Sequence, residues 1–291
     1  MIALYMKEMK SYFISWVGFI YLFIFVLLMA IFYTLINLAY GVPTFQDTLS
    51  NLTIFSLVLM PVLTMRLFAE EAKHKTDQLI FTSPVSVAGI VLGKFLAALS
   101  LALIGMAITV IFPIMISRHG QLPVAKIALS YLGYTLLISC FISVGMFISA
   151  ITDNQIIAAI STFFAMLLLY IIDAIGSALS QGVMASSTAS LVAVAILVGL
   201  VSLLAYDSTK SLTVAVATLS VLLAATVLSF FLAKDAYVGL IGKAVIWISV
   251  MGRFGSFTSG IINVSDVVFC LSFAAAFIYL TINLIEKRRW K

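Results

Sequence analysis

From Trp16 to Tyr40 the chain runs without one charged side chain. That is longer than the roughly 20 apolar residues needed to cross a bilayer as a helix, and comparable runs recur along the sequence. Hydrophobic residues make up 64% of the 291 positions and charged residues 9%, whereas a soluble domain carries about 25% charged residues. A water-soluble enzyme could not hide so much apolar surface, and a disordered, collagen-like or disulfide-scaffold chain is excluded as well. Lipid offers the backbone no hydrogen-bond partner, so what remains is an all-α, polytopic transmembrane helical bundle. Cys140 and Cys270 each lie inside an apolar run, which favours buried free thiols over a bridge.

The first residues, MIALYMKEMKSYFIS, mix Lys7, Glu8 and Lys10 with Ile2, Leu4, Tyr5, Met9 and Phe13. This pattern predicts a short amphipathic helix at a membrane surface. A cleavable signal peptide would have a shorter apolar core and a small-x-small cleavage site, so 16–40 is expected to be a retained first span. Further spans are expected over about 49–68 with Pro61 inside, 95–116, 124–151, 156–175, 189–206, 212–233 and 264–285. The segment 236–262 is apolar but short, and it contains Lys243, Gly252, Gly255 and Gly260.

Charge asymmetry fixes the count at about eight spans. With the N-terminus in the cytoplasm, eight spans place 11 of the Lys and Arg residues inside and 5 outside, from the 16 in the sequence, as the positive-inside rule requires. A ninth span through 236–262 would move Lys287, Arg288, Arg289 and Lys291 outside. That segment is therefore expected to be an extracellular re-entrant hairpin, and both termini of this multi-pass chain are expected in the cytoplasm. Eight spans use about 160 residues and leave loops of roughly 15 residues each, too short for a soluble catalytic domain. Any energy source must be another chain.

No catalytic constellation and no metal site is expected. The stretch GIVLGKF, Gly89 to Phe95, has its glycines one residue too close for a phosphate loop, and no Ser or Thr follows Lys94. His74 and His119 fall on opposite sides of the membrane in this topology, so they would not share a metal. The segment 66–86 is the most charged, with Arg66, Glu70, Glu71, Lys73, Lys75 and Asp77 interleaved with Leu67, Phe68, Leu79, Ile80 and Phe81. The pattern is that of an amphipathic helix, stopped by Thr82, Ser83 and Pro84. Docking on a soluble partner and plain solvation both fit it.

Met65 to Ala98, MRLFAEEAKHKTDQLIFTSPVSVAGIVLGKFLAA, resembles the segment after the second span of ABC-2 type transporter permeases, in particular the gliding-motility-associated and nitrous-oxide-maturation subgroup. Ile151 to Phe164, ITDNQIIAAISTFF, is similar to that family's entry to the fifth span. Phe254 to Trp290 resembles its terminal span, which ends in E-x-R-R-W. Asn263, Ile80 and Phe81 depart from the pattern, and 189–233 reads as an added pair of spans.

The resemblance implies one ABC-2 type transmembrane domain over 1–291, forming the permease subunit of an exporter in the cytoplasmic (inner) membrane. It implies two copies of a separate ATPase subunit, which would bind ATP and Mg, and a second permease chain as homodimer or heterodimer. The chain itself would carry no cofactor and would not be an enzyme. Membrane lipid is a further partner, and nucleic acid is not expected. By the same resemblance, 66–86 would be a cytoplasmic coupling segment, with the N-terminal helix beside it. Glu70, Glu71, Lys73 and Asp77 would touch the ATPase, and Phe81, Pro84 and Val85 would shape the end of the segment. The outer hairpin would help close an extracellular gate, making Arg253 a gate candidate.

Ionisable residues inside a membrane are functional candidates by default, which singles out Asp173 near the outer end of its span. A hydrated end-of-helix carboxylate is the simpler account. Asp266 and Glu286 are expected to anchor the two ends of the last span, and Asp153 is expected to cap the fifth. A self-sufficient secondary transporter would instead need inverted repeats and mid-membrane charges.

Overall fold

A computed structural model describes residues 2–41, 44–76, 86–117, 123–181, 186–188, 190–192, 194–195, 198–199, 202, 212–232 and 237–289. Every regular element among them is helical. The helices are α1 (Ile2–Ile14), α2 (Val17–Phe32, continued by a π-helical stretch, Tyr33–Ala39), α3 (Phe45–Thr64), α4 (Ala69–Lys73), α5 (Val87–Thr109), α6 (Ile111–Ser117), α7 (Val124–Ile151), α8 (Gln155–Gln181), α9 (Leu212–Leu232), α10 (Leu240–Ile248), α11 (Val250–Thr258) and α12 (Val264–Arg289).

Six stretches among the described residues are long and apolar enough to cross a membrane: Val17–Ala39, Phe45–Lys73, Val87–Ser117, Val124–Ile151, Gln155–Gln181 and Val264–Arg288. They coincide with six of the spans expected from sequence. α9 overlaps the expected 212–233, and most of 189–206 lies outside the described residues. The segment 236–262 contains two nine-residue helices, α10 and α11, broken where Ser249 takes extended dihedrals (φ −67°, ψ 123°). At 1.5 Å per residue each is about 13 Å long, under half of a hydrocarbon core about 30 Å thick.

The contacts gather into two units, residues 1–170 with 250–291, and residues 171–249. In the first, α7 is the hub and packs against α3, α5, α11 and α12, while α1 lies along α5 and α2. Small residues on α7 allow this close approach. A Cβ placed on Gly133 would come within 2.6 Å of the Phe257 side chain, and one on Gly145 would collide with the Thr64 side chain. The hydroxyls of Ser130, Ser139 and Ser143 donate to carbonyls of their own helix, Lys126, Leu136 and Cys140, so these polar positions are buried without an orphaned group. Cys140 and Cys270 are free and buried. In the second unit, Gly242 of α10 lies against Gly176 and Ser180 of α8, where a Cβ would be 2.6 Å from the Gly176 carbonyl oxygen.

Two local expectations are corrected. The fifth span is capped by Asn154 instead of Asp153, because Asn154 Oδ1 accepts the Ile156 N–H at 2.9 Å. Asp153 faces outward, with Arg288 Nη1 3.5 Å from its carboxylate. The segment after the second span, expected to be one amphipathic helix, is interrupted in its described part, where the five-residue α4 is followed by Lys75 at φ 55°, and 77–85 lies outside the described residues. The cause is local: Leu67 and Phe68 turn into the core at 2% and 8% exposure, and the amides of Phe68 and Ala69 both donate to Ser149 Oγ at 3.1 Å.

Candidate functional site

Among the described residues, the richest concentration of charge lies at one end of the first unit, where α1, α4 and α5 meet. α5 is capped by Ser86, whose hydroxyl accepts the Gly89 N–H at 3.2 Å, and so runs two turns ahead of the apolar stretch that starts at Phe95. Lys94 therefore sits inside a helix, with its side chain 1% exposed. An isolated buried ammonium costs several kcal/mol in lost hydration, and here its partners are close. Glu8 Oε1 of α1 lies 3.0 Å from Lys94 Nζ, and Glu71 Oε1 of α4 lies 2.9 Å from it. Lys7 approaches the same Glu71 oxygen at 3.8 Å. The ammonium also stands 5.2 Å from the centre of the Phe68 ring, within cation–π range.

A second pair adjoins the first. Arg66 Nε and Nη2 grip the two oxygens of Glu70 at 2.6 and 2.8 Å, and Nη1 donates to Ser15 Oγ at 3.0 Å. Arg66 thus ties the exit of α3 to α4 through a bidentate, charge-assisted contact with Glu70, and to the turn between α1 and α2 through one hydrogen bond to Ser15. The whole cluster balances three cations, Lys7, Arg66 and Lys94, against three carboxylates, Glu8, Glu70 and Glu71. It lines a cleft of about 430 Å³ that His74 and Thr76 also border.

α1 is anchored along one face. Tyr5 donates to Ser100 Oγ at 3.0 Å, Glu8 accepts from Lys94, and the Tyr12 hydroxyl donates to the Leu63 carbonyl at 3.4 Å. Positions 5, 8 and 12 share a helical face at the spacing of three and four residues. Burial holds the Tyr12 hydroxyl in its protonated form, far above its usual titration range. The chain then turns at Trp16, in the left-handed region at φ 63°, to start the first span.

The residues expected on the coupling segment divide. Glu70 and Glu71 point to partners within the chain, while Lys73, His74, Lys75 and Thr76 are exposed. Asp77, Phe81, Pro84 and Val85 lie outside the described residues. Arg253 of α11 is drawn to Asp266 at the start of α12, Nη1 to Oδ1 2.8 Å, and its guanidinium lies 3.9 Å from the centre of the Phe269 ring. Asn263 donates to the other Asp266 oxygen at 3.2 Å. Asp173 is partly exposed on α8, and its carbonyl accepts the Ser177 hydroxyl at 2.9 Å. Among the described residues no three His, Cys, Asp or Glu side chains gather as a metal site.

Lys94 and Glu8 are the site residues that sequence reasoning passed over. Their signal was present. Lys94 is the one charge in the helical run from Val87 to Ser117, and a lone ionisable residue on such a face asks for a partner. Which partner was hidden, because Glu8 lies 86 positions away.

These features define a class: a helical protein whose long apolar segments fit repeated passage through a membrane, with an ion-paired clasp joining its first helix to the exit of its second span. Compared with protein-family models, curated proteins and solved structures, the chain has no match.

Proposed function

We propose that the chain is the transmembrane permease subunit of an ATP-binding-cassette exporter of the ABC-2 type. In this reading it sits in the cytoplasmic membrane with both termini inside and pairs with a second permease chain. ATP is hydrolysed by two copies of a separate subunit docked near α4. The observation that supports it most is the clasp itself: Lys94 holds Glu8 of α1 and Glu71 of α4 at 3.0 and 2.9 Å. It sets the N-terminal helix beside the segment after the second span, the juxtaposition that the resemblance in Met65 to Ala98 leads one to expect. The short, broken pair α10–α11 suits an outer re-entrant hairpin near the exit of the path. The Arg253–Asp266 pair, at 2.8 Å, would hold α11 against the last span when the gate is shut.

In this reading the coupling roles divide. Glu70 and Glu71 act as positioning residues that orient α4 through Arg66 and Lys94. Direct contact with the ATPase then falls to the exposed Lys73 and Thr76 and to the segment beyond them, including Asp77, Phe81, Pro84 and Val85.

A photoreactive amino acid at Lys73 or Thr76, introduced into the full chain in its own membranes, tests this. The expected result is a cross-link to a chain carrying nucleotide-binding motifs, together with ATP hydrolysis by the purified complex. The opposite result would be a chain purified alone that drives ion-gradient-coupled flux without ATP and yields no such cross-link. That would favour a self-sufficient secondary transporter.

A further inference from the structure

The anchored face of α1 leaves the opposite face open. Ala3, Met6, Lys7, Lys10 and Ile14 line an outward groove of about 550 Å³ with Ser15 at its end. Ile2 and Ile14 are each 78% exposed and Met6 is 51% exposed. The acidic residue of this helix, Glu8, is turned inward to Lys94, and the carboxylates nearest to it, Glu70 and Glu71, are engaged by Arg66 and by Lys94 with Lys7. The groove is therefore basic along its middle and apolar at both ends.

Its depth follows from what α1 touches. Glu8 meets Lys94, the last charge on α5 before an uncharged run from Phe95 to Ser117. Lys7 and Lys10 lie within one turn of Glu8, so they stand close to the level at which that span enters the apolar layer. Only two residues separate α1 from the first span, and one of them, Trp16, is 74% exposed. Tryptophan at the start of a span belongs at the headgroup level of a bilayer.

We propose that this outer face of α1 binds the phosphate of an anionic membrane lipid through Lys7 and Lys10. Met6, Ile14 and Trp16 lie against the upper acyl chain. The charge complementarity is direct, and the apolar flanks match a molecule with a charged head and an apolar tail, a pairing that free phosphate lacks. Because Lys7 also reaches Glu71, an occupied groove bears on the clasp, while Lys10 carries the larger share of the lipid contact. The proposal stands whether or not an ATPase partner exists.

The test uses the full chain with Trp247 and Trp290 replaced by Phe, so that Trp16 is the remaining indole. It is placed in nanodiscs of equal parts phosphatidylcholine and phosphatidylglycerol, with bromine on the acyl chains of one lipid or the other. Trp16 should be quenched more strongly by the brominated anionic lipid. Each lysine near an anionic surface contributes about fivefold in relative affinity, so Lys7→Gln with Lys10→Gln should abolish the preference. Lys7→Arg with Lys10→Arg should retain it. In the unsubstituted groove the preference should fall as salt is raised, since these charges are exposed and screened, a measurement that decides the matter even if the Gln variant does not insert. Equal quenching by the two lipids, a preference that ignores salt, or one that survives the Gln substitutions would overturn the proposal. Displacement by millimolar inorganic phosphate would assign the lysines to a free anion. Loss of a bound acidic protein in the Gln variant, with lipid preference intact, would assign them to that protein, and either outcome also overturns it.

Discussion

α7 and α8 follow each other in the chain and are about equally apolar, yet α7 is mostly buried and α8 mostly exposed. The difference lies in the kind of residue and its placement. α7 carries Gly133, Gly145, Ser143 and Ser149 at its contacts. The first half of α8 shows Ile156, Ile160, Phe164 and Leu168 in a stripe four residues apart, each more than half exposed. In lipid, hydrophobicity does not sort inside from outside, since acyl chains solvate leucine as well as a protein core does. Small and polar side chains mark the interior because they permit close backbone approach and need partners. Lys94 on α5 is the extreme case of that rule.

Four substitutions probe the contrast, in falling order of expected effect. Lys94→Met removes the ammonium between Glu8 and Glu71 and should cost about 3 kcal/mol, the scale of breaking a buried ion pair. Thermal unfolding of the detergent-solubilised chain measures it. Adding Glu8→Gln and Glu71→Gln should recover most of the loss, and no recovery would mean that Lys94 acts by some other contact. Gly145→Val forces a side chain against Thr64 and toward Thr162, whose Cγ2 would lie 3.1 Å from the new Cβ. Overpacking of this kind costs about 1–3 kcal/mol, visible as a lower melting temperature and a reduced yield of inserted chain.

Ser149→Ala leaves the Phe68 and Ala69 amides without their acceptor and should cost about 1–2 kcal/mol. Hydrogen exchange should rise at those two amides first. Phe164→Leu, on the exposed stripe, should change stability by no more than about 0.5 kcal/mol. A loss well beyond that in membranes, absent in detergent, would mean that another protein chain covers α8.

Much of this architecture was readable beforehand. The apolar runs gave α7 its limits and located the first and last spans to within a few residues, because length and lack of charge are enough to define a membrane helix. Local competition was harder to see. Asp153 and Asn154 are both good caps; Asn154 takes the role, and Asp153 stands instead beside Arg288 from the far end of the chain. Phe68 looked like an edge offered to a partner, yet it is a core residue, since Ser149 of α7 captures the turn that carries it. The clasp was the least legible part. Glu8, Glu71 and Lys94 each fit a solvated end-of-span charge, and only the three-dimensional meeting of α1, α4 and α5 distinguishes them.

The anchoring of α1 bears on the order in which the protein is built. Tyr12, Glu8 and Tyr5 find their partners 51, 86 and 95 residues later in the chain. Translation proceeds from the N-terminus, so α1 is made before Leu63, Lys94 and Ser100. Until Lys94 has been made and placed, Glu8 lacks the partner it holds in the finished fold. Docking of α1 is therefore a late event that waits for the third long helix, and it closes the first unit around residues inserted before it.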